Sequence, residues 1–162
     1  MKAFLESCAL KTDVYVRSLY RGFRVPVWLV RNAARVVLKR HKKKGPVSIV
    51  FVSARRMRRL NRQFTGRDET TDVLAFPTRD RLDSLLGEVF VNADAVVETA
   101  HKLGIHPNIE AVFLAVHGLL HLVGLKDKTP AQRRKMLDAQ LEVLQEMGYH
   151  ASILDVLRRS MQ

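Results

Sequence analysis

Residues 109 to 124 form an apolar segment with two histidines, around which the rest of the chain has to pack. The apolar residues at 109, 112, 113 and 116 recur with the spacing of one helix face, which predicts a helix. Continuing that spacing places His117 and His121 one turn apart on the same face. Gly124 is typical of the left-handed residue that ends a helix, so we expect the chain to turn there.

The two histidines and Asp127 form a candidate metal site. Two imidazoles at positions i and i+4 can bind one metal ion, and the turn at Gly124 can bring Asp127 back towards them. Two histidines and one carboxylate leave a zinc ion with an open fourth position, which is the layout of a catalytic site. The alternative interpretation is a pair of core histidines that binds no metal.

Gly118 lies inside this helix, where glycine costs about 1 kcal/mol relative to alanine. We interpret it as a position where a Cβ atom would block a ligand, a metal-bound water or a crossing backbone. The pattern HxxxHxxGxxD also resembles the zinc site of metzincin-type peptidases, which carry a glutamate general base where this chain has Gly118. A metallopeptidase is therefore the less favoured interpretation, because it would lack an obvious proton acceptor.

Three sequence blocks are shared with one family. Residues 117 to 124 match every fixed position in the corresponding part of the signature H-G-x-L-H-L-x-G-Y-D-H. Residues 60 to 77 correspond to L-N-x-x-[YF]-R-G-x-D-x-x-T-D-V-L-S-F-P, and residues 86 to 89 to L-G-[DE]-[IV]. In these blocks and their order, the chain resembles the YbeY family of bacterial metal-dependent endoribonucleases linked to ribosomal RNA maturation. The resemblance covers roughly residues 45 to 148.

This resemblance implies cleavage of single-stranded RNA, chiefly ribosomal RNA, with the ribosome as a partner. It also implies one zinc ion per chain, bound by His117, His121 and Asp127. Asp127 replaces the family's third histidine, and Thr65 occupies the position of its active-site arginine. Aspartate can ligate zinc, and Arg67 is the candidate catalytic residue in place of the missing arginine. These departures leave open an RNA- or ribosome-binding protein of the same fold that has lost cleavage.

An excess of basic residues predicts a polyanionic partner. Lysine and arginine number 28 against 16 for aspartate and glutamate, which gives a net charge of +12. Ser53 is expected to cap a helix with an exposed arginine face, and arginine both pairs with phosphates and stacks on bases. We interpret four residues there as RNA-binding: Arg55, Arg56, Arg58 and Arg59. The basic run at 39 to 44 is either a solvated helix end or another RNA contact.

The location of the protein is predicted from what its sequence lacks. Cys8 is the single cysteine, so no internal disulfide is possible and a reducing compartment is expected. Glu6 and Ser7 interrupt any signal-peptide core, and no run approaches the roughly 18 apolar residues of a membrane span. We therefore expect a cytoplasmic protein with no membrane contact.

The order of patterns along the chain predicts the fold class. Strands are expected at 14–17, 47–52, 72–76 and 87–91, and the segment from Asn61 to Thr71 is expected to be a loop. Besides those named above, helices are predicted after Pro26, from Asn92 or Asp94 to Gly104, and from Thr129 to Met147. We predict a single α/β domain over 1–162, with a small mixed four-stranded sheet packed with about five helices. The motif-bearing core is placed at 45–148, and 149–162 is interpreted as a C-terminal tail with a helical pattern at Ile153, Leu154 and Leu157.

Overall fold

The computed structural model describes residues 13–78 and 85–161, which contain four strands and six helices. The strands are β1 (Val14–Ser18), β2 (Val47–Val52), β3 (Val73–Pro77) and β4 (Gly87–Asn92). The helices are α1 (Val27–Arg40), α2 (Ala54–Thr65), α3 (Ala93–Leu103), α4 (Pro107–Leu122), α5 (Pro130–Glu146) and α6 (Ala151–Ser160). The predicted α/β class with a four-stranded mixed sheet is confirmed, with one helix more than the expected five.

The sheet has the strand order β1-β2-β4-β3. β1, β2 and β4 run parallel, and β3 pairs antiparallel with β4. Ile49 and Val89 lie side by side at the centre of the face that is fully buried. Val47, Ile49, Val89 and Val91 supply β-branched side chains to this buried face, while Ser48, Val50, Glu88 and Phe90 between them are less buried. α1 and α4 pack against this face, and α5 packs behind them.

One carboxylate fixes the position of α2 relative to its neighbours. Asp94, in the first turn of α3, accepts hydrogen bonds from the Ala54 backbone N–H (2.7 Å) and from the Tyr20 hydroxyl (2.7 Å). The predicted cap is also present, because the Ser53 side chain accepts a hydrogen bond from the Arg56 N–H. α2, which carries the predicted RNA-binding arginines, therefore begins at a defined point beside α3.

One sequence prediction about an element boundary is wrong. Asn61 to Thr65 is the last part of α2 rather than a loop, and the helix ends where Gly66 adopts a left-handed φ of +77°. The polar side chains of this stretch misled the prediction: residues 62 to 65 are exposed on the helix, while Asn61 is buried and donates to the Glu69 carbonyl. Residues 149–162 were interpreted as a C-terminal tail with a helical pattern, and residues 151–160 within them form α6, which packs on α5. The predicted hydrophilic connection from 79 to 84 lies outside the described residues.

Among the described residues, no helix is both long and apolar enough to cross a membrane.

Candidate metal centre

The end of α4 brings a third side chain to the two histidines. Gly124 has a φ of +105°, and the Leu125 N–H donates to the Leu120 carbonyl over 2.9 Å. This is the geometry by which a left-handed residue closes a helix and reverses the chain. The reversal places Asp127 beside His117 and His121, so these three predicted residues are brought together.

The three side chains converge through atoms that can ligate a metal. The Nε2 atoms of His117 and His121 are 3.0 Å apart, and Asp127 Oδ2 lies 3.5 Å from each of them. Tetrahedral zinc with ligand distances of about 2.0–2.1 Å requires donor atoms about 3.3 Å apart. The donor set, two imidazole nitrogens and one carboxylate oxygen, therefore fits a zinc-sized ion in both chemistry and spacing.

Neighbouring groups fix which nitrogen of each ring carries the proton. His117 Nδ1 lies 3.3 Å from the Gln140 side-chain oxygen, while the Gln140 amide nitrogen donates to the Phe113 carbonyl over 3.2 Å. His121 Nδ1 lies 3.0 Å from the Leu125 carbonyl oxygen. Both partner atoms are acceptors, so both Nδ1 atoms carry the proton and donate it. Each Nε2 is left with its lone pair directed at the other donors, as metal ligation requires.

The surroundings of His117 favour its neutral form. Burial is the main cause that lowers its pKa, followed by repulsion from His121. Gln140, Asp127 and Asp72 act in the opposite direction, but the net pKa lies below the ordinary value. A neutral imidazole is the form that binds a metal ion, so His117 requires little deprotonation before it can act as a ligand.

Gly118 serves the packing of α4 on the sheet. A Cβ atom at this position would lie 2.3 Å from Val89 Cγ1 and 2.8 Å from Val73 Cγ1. The obstruction comes from valine side chains of β4 and β3. Our interpretation that Gly118 makes room for a ligand, a water or a crossing backbone is therefore wrong.

A pocket of about 460 Å³ opens over the three candidate ligands. Its wall also includes Thr71 and Asp72 before β3, Lys102 of α3, and Ser160 and Met161 at the end of α6. The last helix therefore contributes to the site. Sequence reasoning missed this role because the tail carries no motif.

Two further polar residues of the pocket were missed from the sequence: Glu110 and Gln140. Both are buried, with 3% and 1% of their surface exposed. Glu110 Oε2 has no hydrogen-bond partner in the described part of the chain. Burial, and secondarily the charge of Asp72, raise the Glu110 pKa to about 7. A polar residue on the inward stripe of an amphipathic helix is the signal that could have revealed both.

The arginines predicted to bind RNA are exposed on α2. A groove of about 680 Å³ is lined by three of them together with a fourth that the prediction omitted: Arg55, Arg58, Arg59 and Arg62. Arg56 is exposed but is not among the residues that line this groove. Arg58 is held by Asp68 through Nε–Oδ1 and Nη2–Oδ2 contacts of 3.0 and 2.9 Å. Three of the four predicted arginines therefore share one groove, and their role in binding RNA stays a prediction.

Arg67 is not placed at the metal site. It is exposed in the loop after α2, and it is not among the residues that line the pocket over the histidines. The Thr65 hydroxyl is turned back on its own helix, 2.8 Å from the Asn61 carbonyl oxygen. Within the described residues, neither side chain reaches His117 or His121.

Comparisons with known proteins agree with these features. A family model described as "Endoribonuclease YbeY" matches residues 27–148. A protein of that name from Nitratiruptor sp. is 38% identical over 96 residues, which cover 59% of this chain and 67% of the relative. Another from Carboxydothermus hydrogenoformans is 32% identical over 121 residues, covering 74% and 85%. A solution structure of a Thermotoga maritima protein has a TM-score of 0.55 and 27% identity, covering 83% and 91%. This chain therefore belongs to the YbeY family.

Proposed function

We propose that this protein is a zinc-dependent endoribonuclease that cleaves single-stranded RNA, and that its natural substrate is ribosomal RNA. The observation that carries the proposal is the convergence of the His117, His121 and Asp127 donor atoms at distances that fit a zinc ion. The relatives named as endoribonucleases support the reaction class. The net charge of +12 supports a polyanionic substrate.

The three candidate ligands would leave one coordination position of the ion open to the substrate. When bound, zinc supplies Lewis-acid chemistry there, which polarises a phosphate oxygen. Gln140 and the Leu125 carbonyl keep both imidazoles oriented for binding. Asp127 adds a negative charge to the ligand set, so the ion keeps less net charge than it would with three neutral histidines.

Glu110 limits the negative charge of the pocket. With a pKa of about 7, its carboxyl group holds a proton below neutral pH, and the pocket then carries one negative charge fewer beside Asp72. This favours the approach of a phosphodiester, which is itself an anion. The arginines of α2 and Arg67, all exposed, are proposed to hold the flanking RNA backbone.

The proposal predicts about one zinc ion per purified chain and zinc-dependent cleavage of single-stranded RNA. His117→Ala should lose both, because two remaining ligands bind zinc weakly. His101→Ala is the matched control, since His101 is an exposed histidine of α3 outside the pocket, and it should keep both. Elemental analysis and a gel-based cleavage assay measure the two properties.

Two results would contradict the proposal. A wild-type protein that carries no metal above background after reconstitution with zinc would exclude the metal site. A fully loaded protein that binds RNA without cutting it would instead identify a binding protein of the same fold.

A further inference from the structure

A second basic groove lies on the opposite edge of the sheet from β3. It has a volume of about 910 Å³ and runs between the edge strand β1, the helix α1 and the segment that follows α1. Six cations line it: Arg31, Arg35, Lys39, Lys42, Lys43 and Lys44. Asp13 is the single acidic residue in its lining. None of its lining residues is shared with the pocket over the histidines.

The cations of this groove have few structural roles within the described chain. None of the six forms an ion pair there, whereas Arg40, Arg58 and Lys102 each pair with a carboxylate. Arg31 is tied to the strand by one hydrogen bond, in which its Nε donates to the Val14 carbonyl over 3.2 Å. All six are exposed, so most of their charge is available to a partner.

The spacing of the cations suits an anion that repeats. Arg31, Arg35 and Lys39 are separated by four residues each, so they recur about every 6 Å along one face of α1. Two exposed aromatic rings accompany them. Tyr15 lines the groove with 58% of its surface exposed, and Trp28, 71% exposed, lies one turn before Arg31 on the same helix face. Cations that follow a backbone, together with rings that stack on bases, are the features of surfaces that bind single-stranded nucleic acid.

Lys42 adopts an unusual backbone conformation at the end of α1. Its φ is +52°, and in the described residues it is the one non-glycine residue with positive φ. The position follows the end of α1, where glycine or asparagine is the usual residue because the left-handed conformation strains a larger side chain. This strained position places the charge of Lys42 beside five other cations of the groove.

We propose that this groove binds the backbone of single-stranded RNA, with Tyr15 as a stacking platform. The inference rests on the RNA substrate proposed above, and it adds a binding surface separate from the metal pocket and from the arginines of α2.

The test compares two triple variants that lose the same charge. The groove variant combines Arg35→Gln, Lys39→Gln and Lys42→Gly. The control combines Arg134→Gln, Arg158→Gln and Arg159→Gln, all exposed and outside the groove. Binding of a fluorescent oligouridylate of about 20 nucleotides is followed by anisotropy in EDTA, which prevents metal-dependent cleavage. We expect the groove variant to bind the RNA about ten-fold more weakly. The slope of log affinity against log salt concentration should also be smaller in magnitude by about 2, because each of the three lost phosphate contacts on a single strand contributes about 0.7. The control should change affinity by less than about two-fold.

Single variants separate a binding role from a structural one. Lys42→Gly should keep or raise the thermal unfolding midpoint, because glycine adopts a left-handed φ without strain, while its RNA affinity falls. Tyr15→Leu should weaken binding of the single strand more than binding of a duplex of the same length. Unchanged affinity in both variants would contradict the proposed contacts.

The remaining outcomes are also decisive. Equal weakening in the two triple variants, or no binding by the wild type, overturns the groove as an RNA site. Displacement of the RNA by a polyglutamate peptide at lower concentration identifies an acidic protein as the occupant and also overturns it. Groove-dependent binding without zinc-dependent cleavage leaves this inference intact and overturns the proposed nuclease function alone.

Discussion

Gly118 shows how one missing side chain determines where the candidate ligands lie. Because no Cβ is present, α4 approaches β3 and β4 closely enough for Val73 and Val89 to contact its backbone. His117 precedes Gly118 directly, so the depth at which α4 packs also sets the position of a candidate ligand. The helix accepts a poor helix former at this point because the sheet leaves no room for a better one.

Gly118→Ala should therefore destabilise the fold. Overpacking costs about 1–3 kcal/mol, and the better helix propensity of alanine returns about 1 kcal/mol, so the net loss is at most about 2 kcal/mol. Urea denaturation measures it. In a double-mutant cycle with Val89→Ala, which removes the closest clash, the combined loss should be smaller than the sum of the two single losses. Additive losses would show that the clash is relieved in some other way.

Glu110 makes the stability of the metal-free protein depend on pH. Its folded-state pKa of about 7 exceeds the ordinary value of 4.5, so the folded state binds the proton more tightly than the unfolded state does. This contribution to stability is full below pH 4.5 and is lost as the pH rises through 7. The complete loss is about 3 kcal/mol, because one pKa unit corresponds to about 1.4 kcal/mol.

Glu110→Gln should remove this dependence. Unfolding free energies are measured for the chelator-treated wild type and variant between pH 4.5 and 8. As the pH rises, the wild type should lose about 3 kcal/mol of stability relative to the variant. Glu69→Gln, at an exposed glutamate, provides the control for the general effect of losing one carboxylate. Parallel curves for wild type and Glu110→Gln would mean that Glu110 ionises normally in the folded state.

At the scale of helices and strands, the sequence predicts elements well where local chemistry sets their ends. Ser53 caps α2, Thr129 and Gln132 form the predicted capping box of α5, and Gly104 ends α3 in a left-handed conformation. The end of α2 was missed because it depends on a tertiary contact: Asn61 Nδ2 donates to the Glu69 carbonyl and folds the following loop against the helix.

The residues of the candidate site also differ in whether local sequence could predict them. His117 and His121 follow from helical spacing alone, and Asp127 from the turn at Gly124. Gln140 could not be assigned its role, because it lies on another helix and its partner is known only once α5 packs on α4.

The contact between Gln140 of α5 and His117 of α4 predicts an effect on zinc affinity. Gln140→Leu removes the acceptor that orients His117, so zinc affinity should fall by about 10- to 100-fold, as is usual when the partner of a metal-bound histidine is lost. Gln145→Leu is the matched control, since Gln145 is exposed on the same helix. Competition with a fluorescent chelator measures both affinities, and equal affinities would show that Gln140 has no part in metal binding.

At the scale of the whole molecule, charges of opposite sign are separated. The pocket over the candidate ligands contains three acidic side chains: Asp72, Glu110 and Asp127. The grooves beside α1 and α2 are lined mainly by cations and share no residue with that pocket. This division suits a small cation at the centre of reaction and a long anion held at a distance from it.

The two imidazoles differ in how their orientation can change over evolution. The partner of His121 is the main-chain carbonyl of Leu125, which every amino acid supplies, so neutral drift at position 125 leaves the His121 proton in place. The partner of His117 is a side-chain amide oxygen, and most substitutions at position 140 remove it. A lineage that loses metal binding through changes outside the ligands themselves therefore has an easier route through position 140 than through position 125.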